Sequence, residues 1–367
     1  MNKQCILMVG LVVALFFSCD ENAVLPQNQP NELYFPPTHT GDWESISIDF
    51  LDWDDEALEN LYSFLKDNKT RAFIVLKDGK IVVEKYWGKN VLNTGAFDES
   101  SLWYWASAGK ALTATLVGRA AKDGLLSIND KTSDYLGKGW TSLNQEKEGL
   151  ITIEHQLTMS TGLDYQVSDL DCTAPSCLKY KADAGTQWYY HNAAYTLLEK
   201  LVSKASGMDY NIYTDEKIES ITGMDGRWIS MGYNNVYWST ARDMARFGLL
   251  SLNQGIWEDN QAVYSEEYYQ QMVNSSQKLN PSYGYLWWLN GKSKIIFPAL
   301  TSSFNRSLSD HAPDDLFAGM GKNGQFVEIV PEQNLVVVRM GEAPNDALVP
   351  ITFHDEMWEM LNLVIGN

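Results

Sequence analysis

A serine hydroxyl is a weak nucleophile at neutral pH until a base stands beside it and donors await the oxyanion its attack creates. On a helix, Ser-x-x-Lys supplies the base, because the two side chains stand one turn apart on one face. If the helix starts at the serine, its unpaired N–H groups point at the same place. The chain offers four such pairs: Ser63/Lys66, Ser107/Lys110, Ser176/Lys179 and Ser275/Lys278. Their surroundings separate them. Ser63 falls inside a surface helix, Ser176 between Pro175 and Cys177, and Ser275 in a polar stretch ahead of Pro281. Only Ser107 follows an aromatic strand-like run, Leu102 to Trp105, and precedes small residues and then a long apolar helix. Ser107 with Lys110 is therefore the candidate nucleophilic pair. His155 and His191 have no acidic partner by spacing, and Gly-x-Ser-x-Gly is absent around Ser107, so a Ser-His-Asp triad is not indicated. No His-Glu-x-x-His or paired-Cys motif appears, so no metal or other cofactor is expected.

The elements that must hold this pair are legible as periodicities. Apolar spacing predicts helices over 52–65, 107–121, 154–159, 192–205, 240–252 and 353–364. Ala72–Leu76 and Lys80–Tyr86 are β-branched runs joined by Asp78-Gly79, a strong hairpin signal. Later strands are expected at 285–289, 325–330 and 335–340, and the region 125–255 reads as mostly helical. Early and late strands around a helical block imply an α/β architecture of the α+β type. One antiparallel sheet, flanked by helices, is built from both chain ends, with a mainly helical lobe inserted. The expected division is a sheet lobe at 42–124 and 270–367 and a helical lobe at 125–269.

The stretch Ala106-Ser107-Ala108-Gly109-Lys110-Ala111-Leu112-Thr113 resembles the first motif of the serine β-lactamase and penicillin-binding protein superfamily. Gly185-Thr186-Gln187-Trp188-Tyr189-Tyr190-His191-Asn192 resembles the Tyr-x-Asn motif of its class C β-lactamase-related branch. Tyr233-Asn234-Asn235 fits Tyr-x-Asn too, but lacks the preceding Gly and Trp and the following helix. Residues 151–163 and 239–247 resemble structural signatures of the same branch, and the likeness runs from about 70 to 345. The resemblance implies a β-lactamase-like fold and gives roles by position. Ser107 would be acylated. Lys110 would accept or relay its proton, or hold Tyr190 as phenolate. Tyr190 would be the general base, and Asn192 would hydrogen-bond the substrate amide or carbonyl. Both pKa values would then have to fall by several units.

Relatives carry Lys-Thr-Gly or His-Thr-Gly on the strand facing the nucleophile, and here the chain departs. Lys322-Asn323-Gly324 is one candidate, but the hairpin register places Gly319-Met320-Gly321 at that position. That strand would offer backbone N–H groups and close approach instead of a cation. The oxyanion hole would be the Ser107 N–H and an N–H near Lys322. The departure leans toward esterase and amidase relatives, such as 6-aminohexanoate-oligomer hydrolases, over β-lactamases or D-alanyl-D-alanine carboxypeptidases. The substrate is then a small-molecule or peptide-like ester or amide. A non-catalytic penicillin-type receptor and a glycan-binding lipoprotein using its tryptophans are the rivals of another class.

Composition narrows the partners. A formal net charge of −19 excludes a nucleic-acid partner, since phosphate binding needs a basic face. Arg242 and Arg246, four apart on one helix face, are expected to form salt bridges. Lys3, the apolar run Ile6–Phe17 and Leu15-Phe16-Phe17-Ser18-Cys19 read as a lipoprotein signal over 1–19, with Cys19 lipidated. Residues 20–41, carrying Pro26, Pro30, Pro36 and Pro37, would be a flexible tether. The expected location is outside the cytoplasm, lipid-anchored to the outer membrane of a Gram-negative bacterium, with the membrane touched only through the lipid. Cys172 and Cys177 then suit a small disulfide ring in an oxidising compartment; a zinc site is the rival and lacks a second Cys pair.

Overall fold

The computed structural model describes residues 33–258 and 260–366. The signal segment, Cys19 and the first part of the tether lie outside the described residues. Thr70–Lys77 (β1) and Lys80–Tyr86 (β2) form the predicted hairpin. Asp78 and Gly79 both sit at positive φ, 51° and 82°. That is the two-residue turn whose twist matches the strands it joins. Trp103–Tyr104 is β3, Arg227–Met231 β4, Asn234–Ser239 β5, Trp288–Leu289 β6, Phe317–Gly321 β7, Gln325–Val330 β8 and Leu335–Gly341 β9. The six-stranded sheet runs β2-β1-β9-β8-β7-β6 with every pair antiparallel, so β1 from one chain end pairs directly with β9 from the other. The fold is mixed α/β, with antiparallel sheets flanked by helices.

The helices that matter for the site are Asp55–Asp67 (α1), Gly109–Lys122 (α2), Asn192–Ser206 (α3), Ala241–Leu252 (α4) and Ile351–Ile365 (α5). Alternation along β8 sends successive side chains to opposite sheet faces. Glu328 points to α5, where it meets His354 and accepts from Trp358 Nε1 at 3.0 Å. Val327 points to α4, which lies so close that a Cβ on Gly248 would come within 2.3 Å of Val336 Cγ1. α2 is buried on nearly every side. Such burial is why its pattern is apolar all round instead of striped.

Five expectations change. Residues 239–252, counted with the helical lobe, include α4, which packs on β1, β8 and β9. Periodicity gives a helix its apolar face but not the element it covers. The supposedly helical insertion also holds the β4–β5 hairpin, which with β3 makes a second sheet, β3-β5-β4. Its outward face carries Ile229 and Met231, so no clean alternation marks it. The strand expected at 285–289 shrinks to Trp288–Leu289, because Leu286 takes a φ of 61°. Finally, residues 33–41 of the expected tether are docked. Phe35 packs edge-on to Trp257 at 5.1 Å, and Pro37 O accepts from Arg246 Nη2 at 2.9 Å. Arg246 thus spends its donors on carbonyls and forms no salt bridge among the described residues, whereas Arg242 does pair with Glu84.

Gly248→Ala should lower unfolding stability by about 1–3 kcal/mol through overpacking. Urea denaturation should show it as a lower midpoint with an unchanged slope.

Candidate active site

Ser107, the candidate nucleophile, is placed by its neighbours before it. Trp105 is fully buried. Its N–H donates to Tyr237 O at 2.8 Å, and its Nε1 donates to Ser239 Oγ at 2.8 Å. Ala106 then turns through φ +48°, a conformation an alanine holds only when its surroundings force it. Ser107 follows in a single 3-10 turn, Ala106–Ala108, and α2 begins at Gly109. The serine therefore precedes the α-helix instead of opening it. Its N–H donates to no protein acceptor among the described residues. β7 closes on this turn. A Cβ on Gly321 would lie 2.6 Å from Trp105 O and 3.1 Å from Ser107 N, so only glycine permits the approach.

Lys110 Nζ donates to Ser107 Oγ at 2.9 Å. No such pairing joins the other three Ser-x-x-Lys matches among the described residues. Ser63 bonds to Glu59 O and Ser275 to Pro281 O, while Ser176 sits in the 3-10 turn Pro175–Cys177. Lys110 is almost wholly buried. Burial pulls its amine down to about 7, against the opposing fields of Asp171 and Glu199. Its Nζ lies 4.2 Å from the Tyr195 ring centre and 5.0 Å from that of Tyr190.

Tyr190 faces Ser107 from the loop before α3, held in an aromatic box. Its ring stacks on Trp288 at 5.9 Å and meets Tyr283 edge-on at 6.1 Å. Burial drives its hydroxyl well above the ordinary tyrosine range, and the bond to Ser107 offsets this only in part. The expected fall in pKa therefore occurs at the lysine and not at the tyrosine. A cation stabilises a phenolate only while it stays charged, and this amine is poised to be neutral.

These groups open into a cavity of about 470 Å³, bordered also by Asp171, Asn192, Asn234, Asn235 and Lys322. Asn192 opens α3, and its Nδ2 donates to Asp171 Oδ1 at 2.8 Å. The carboxylate fixes which way the amide points. Its Oδ1 is left buried and unpartnered. Asp171 directly precedes Cys172, which the disulfide joins to Cys177. Gly319, Met320 and Gly321 do not border the cavity. The two glycines face the Ser107 turn, and Met320, one residue out of phase, is buried in the core. Lys322 stands at the β7–β8 turn, and Asn323 beside it donates to Tyr104 at 2.7 Å. His155 caps its own helix through Thr152, and neither it nor His191 borders the cavity.

Asp171, Asn234, Asn235 and Tyr195 are among the site residues that the sequence reading does not single out. Asp171 has no periodicity to announce it, although it directly precedes Cys172. Asn234 and Asn235 belong to the second Tyr-x-Asn match, set aside because it lacks the preceding Gly and Trp and the following helix, yet they form part of the cavity wall. Tyr195 stands one turn beyond His191 and reads as helix core.

The Beta-lactamase family model matches residues 67–347. An uncharacterized protein of Alkalihalophilus pseudofirmus is 26% identical over 310 residues, covering 76% of this chain and 85% of that one. Among solved structures, a Bacillus anthracis protein provisionally assigned as a 6-aminohexanoate-dimer hydrolase superposes with a TM-score of 0.66 at 19% identity, over 91% of this chain and 88% of that one. A family VIII carboxylesterase superposes with a TM-score of 0.63 at 14% identity, over 83% and 95%. At these identities the two structures speak to the fold alone.

Lys110 carries a stability consequence. The unfolded chain binds its proton below about 10.5 and the folded chain only below about 7. The folded state is therefore penalised fully below pH 7, and the penalty fades as pH rises to 10.5. Lys110→Met should raise unfolding stability by roughly 2–4 kcal/mol at pH 6, allowing for the lost Ser107 bond. The gain should shrink in denaturant titrations run above pH 7.

Proposed function

The chain belongs to the beta-lactamase family, and on that premise we propose that it is a serine hydrolase working through a Ser107 acyl-enzyme. The observation that carries this reading is the 2.9 Å contact between a buried, near-neutral amine and a hydroxyl at the mouth of a cavity. Ser107 Oγ attacks the substrate carbonyl carbon while its proton passes to Lys110 Nζ. The oxyanion accepts from the Ser107 N–H and from an N–H of the turn at Lys322. Tyr190, kept as a neutral phenol, passes the proton on to the leaving group as the carbonyl re-forms and that bond breaks. Water then takes the place of the leaving group, and the same two groups return its proton along the reverse route.

The substrate class follows from two features. β7 offers no cationic side chain opposite Ser107, which removes the expected partner of a β-lactam carboxylate. Asn192 offers its Oδ1, which accepts but cannot donate. An unpartnered buried oxygen of this kind is satisfied by a substrate N–H. Both support an amide-bearing or peptide-like substrate, handled by ester or amide cleavage. The names of the two superposed structures, an aminohexanoate-dimer hydrolase assignment and a carboxylesterase, agree with that class. The disulfide and the pattern of residues 1–19 support a lipid-anchored location outside the cytoplasm, reached through Cys19.

Rates on p-nitrophenyl butyrate, nitrocefin and a D-Ala-D-Ala peptide test the assignment. Ser107→Ala, Lys110→Ala and Tyr190→Phe should each lose at least about a hundredfold in kcat/KM on the best substrate. Equal turnover by Ser107→Ala would remove the mechanism, and rapid nitrocefin hydrolysis would overturn the substrate preference. Asn192→Ala should lose roughly tenfold or more on an amide-bearing ester and far less on the butyrate. A uniform loss on both would contradict its role as an N–H acceptor.

A further inference from the structure

One buried acid stands behind the catalytic pair and the mechanism does not use it. Glu199 lies one helical turn beyond Tyr195 on α3 and is 6% exposed. No lysine or arginine nitrogen lies within 4 Å of it among the described residues. The Tyr195 hydroxyl donates to its Oε1 at 3.4 Å, and Asn235 of β5 bonds to it from the facing sheet. Lys110 Nζ sits 4.2 Å from the centre of the same Tyr195 ring. Amine and carboxyl therefore flank a single phenol. Glu199 also borders a second cavity of about 680 Å³, floored by Leu136, Trp140 and Leu197. That cavity shares Asn234 and Asn235 with the one at Ser107.

We propose that Glu199 is a positioning residue whose carboxyl sets, across the Tyr195 ring, the protonation state that Lys110 presents to Ser107. The idea rests on the serine-hydrolase reading. Ionised, Glu199 would hold Lys110 as ammonium and deny Ser107 its base. Protonated, it leaves the amine free. Burial favours the protonated form, pushing the carboxyl up to about 8 against the opposing pull of Asn235, Tyr195, Lys110 and Lys200. The other ionisable neighbours are Asp171, which acts on Lys110 from beside Cys172, Tyr190 beside Tyr195, and Tyr210 from the following helix. Lys204 and Asp209 border the outer cavity. Each acts on the other, Glu199 raising the Lys110 amine and Lys110 lowering the Glu199 carboxyl.

The sign of the effect follows. Each ionised Glu199 raises the pH at which Lys110 gives up its proton. Removing that charge lets the amine deprotonate earlier. The rate of Ser107 acylation by a fluorophosphonate probe, measured from pH 5 to 9, reads this directly. In Glu199→Gln the pH of half-maximal rate should fall by about half to one unit relative to wild type. Glu199→Leu, which removes the hydrogen bonds along with the charge, should show the same downward shift and stands in if the glutamine variant does not fold. Profiles that superimpose on wild type, or that move upward, overturn the proposal. A wild type that labels at no pH would defeat the hydrolase reading itself. That outcome differs from the first, in which wild type labels normally.

Discussion

An amine does not enter a protein interior without a reason, and the site of this molecule is built around one that has. Lys110 is buried and meets Ser107 at 2.9 Å, with two tyrosine rings for company and no carboxylate in contact. Burial pulls its amine down to about 7. The enclosure is therefore what the proposed chemistry depends on. α2 must be apolar on every side to supply it, the aromatic box around Tyr190 must exclude water, and β7 must carry glycines so that the sheet can close over the Ser107 turn. Stability is given up at this point and recovered in the sheet and its helices, as expected where function needs an unfavourable group.

Local features of this arrangement could be read from the chain, and non-local ones could not. The β1–β2 hairpin follows from Asp78-Gly79, and the Ser107–Lys110 pairing from three-residue spacing on a helical turn. Tyr190 was found because a Gly and a Trp precede it and a helix follows. Chain order could not reveal that Ala106 adopts φ +48°, since that strain is imposed by Trp105, Tyr237 and Ser239 from distant segments. The β4–β5 hairpin was missed for a related reason. Ile229 is 42% and Met231 55% exposed, and Met231 borders the cavity, so the binding surface itself scrambles the alternation that marks a half-buried strand. Docking of residues 33–41 was equally hidden, because proline-rich composition gives extension but not what lies beneath.

The departure at the third motif has a steric side as well as an electrostatic one. Gly319 and Gly321 both turn the bare side of the strand to the Ser107 turn, where a Cβ on Gly321 would strike Trp105 O at 2.6 Å and one on Gly319 would crowd Val327 Cγ1 at 2.9 Å and Ala108 O at 3.1 Å. A side chain at Gly321 would have to displace the Ser107 turn. The nearest cation on that strand is displaced to Lys322, beyond its end and in the turn, where it borders the cavity and is exposed to solvent. Screening by water makes a solvated lysine a weak fixed anchor for a substrate carboxylate. The strand instead delivers rigidity. β7 pairs with β8 in register from Phe317 to Gly321. Buried Arg339 on β9 fastens the following turn through Asn323 O and Gly324 O.

Tyr190 and Lys110 illustrate why two buried proton-transfer groups are not interchangeable. Desolvation opposes whichever form is charged, so it lowers an amine and raises a phenol. Placed together in one dry site, the two are pushed toward the same neutral state, amine and phenol. A phenolate base would require the lysine to remain an ammonium, and burial opposes both of those charges. In the proposed mechanism the division of labour follows from the enclosure. There the lysine takes the serine proton, because it gains a charge that the developing oxyanion offsets, and the tyrosine conducts a proton without holding a charge of its own.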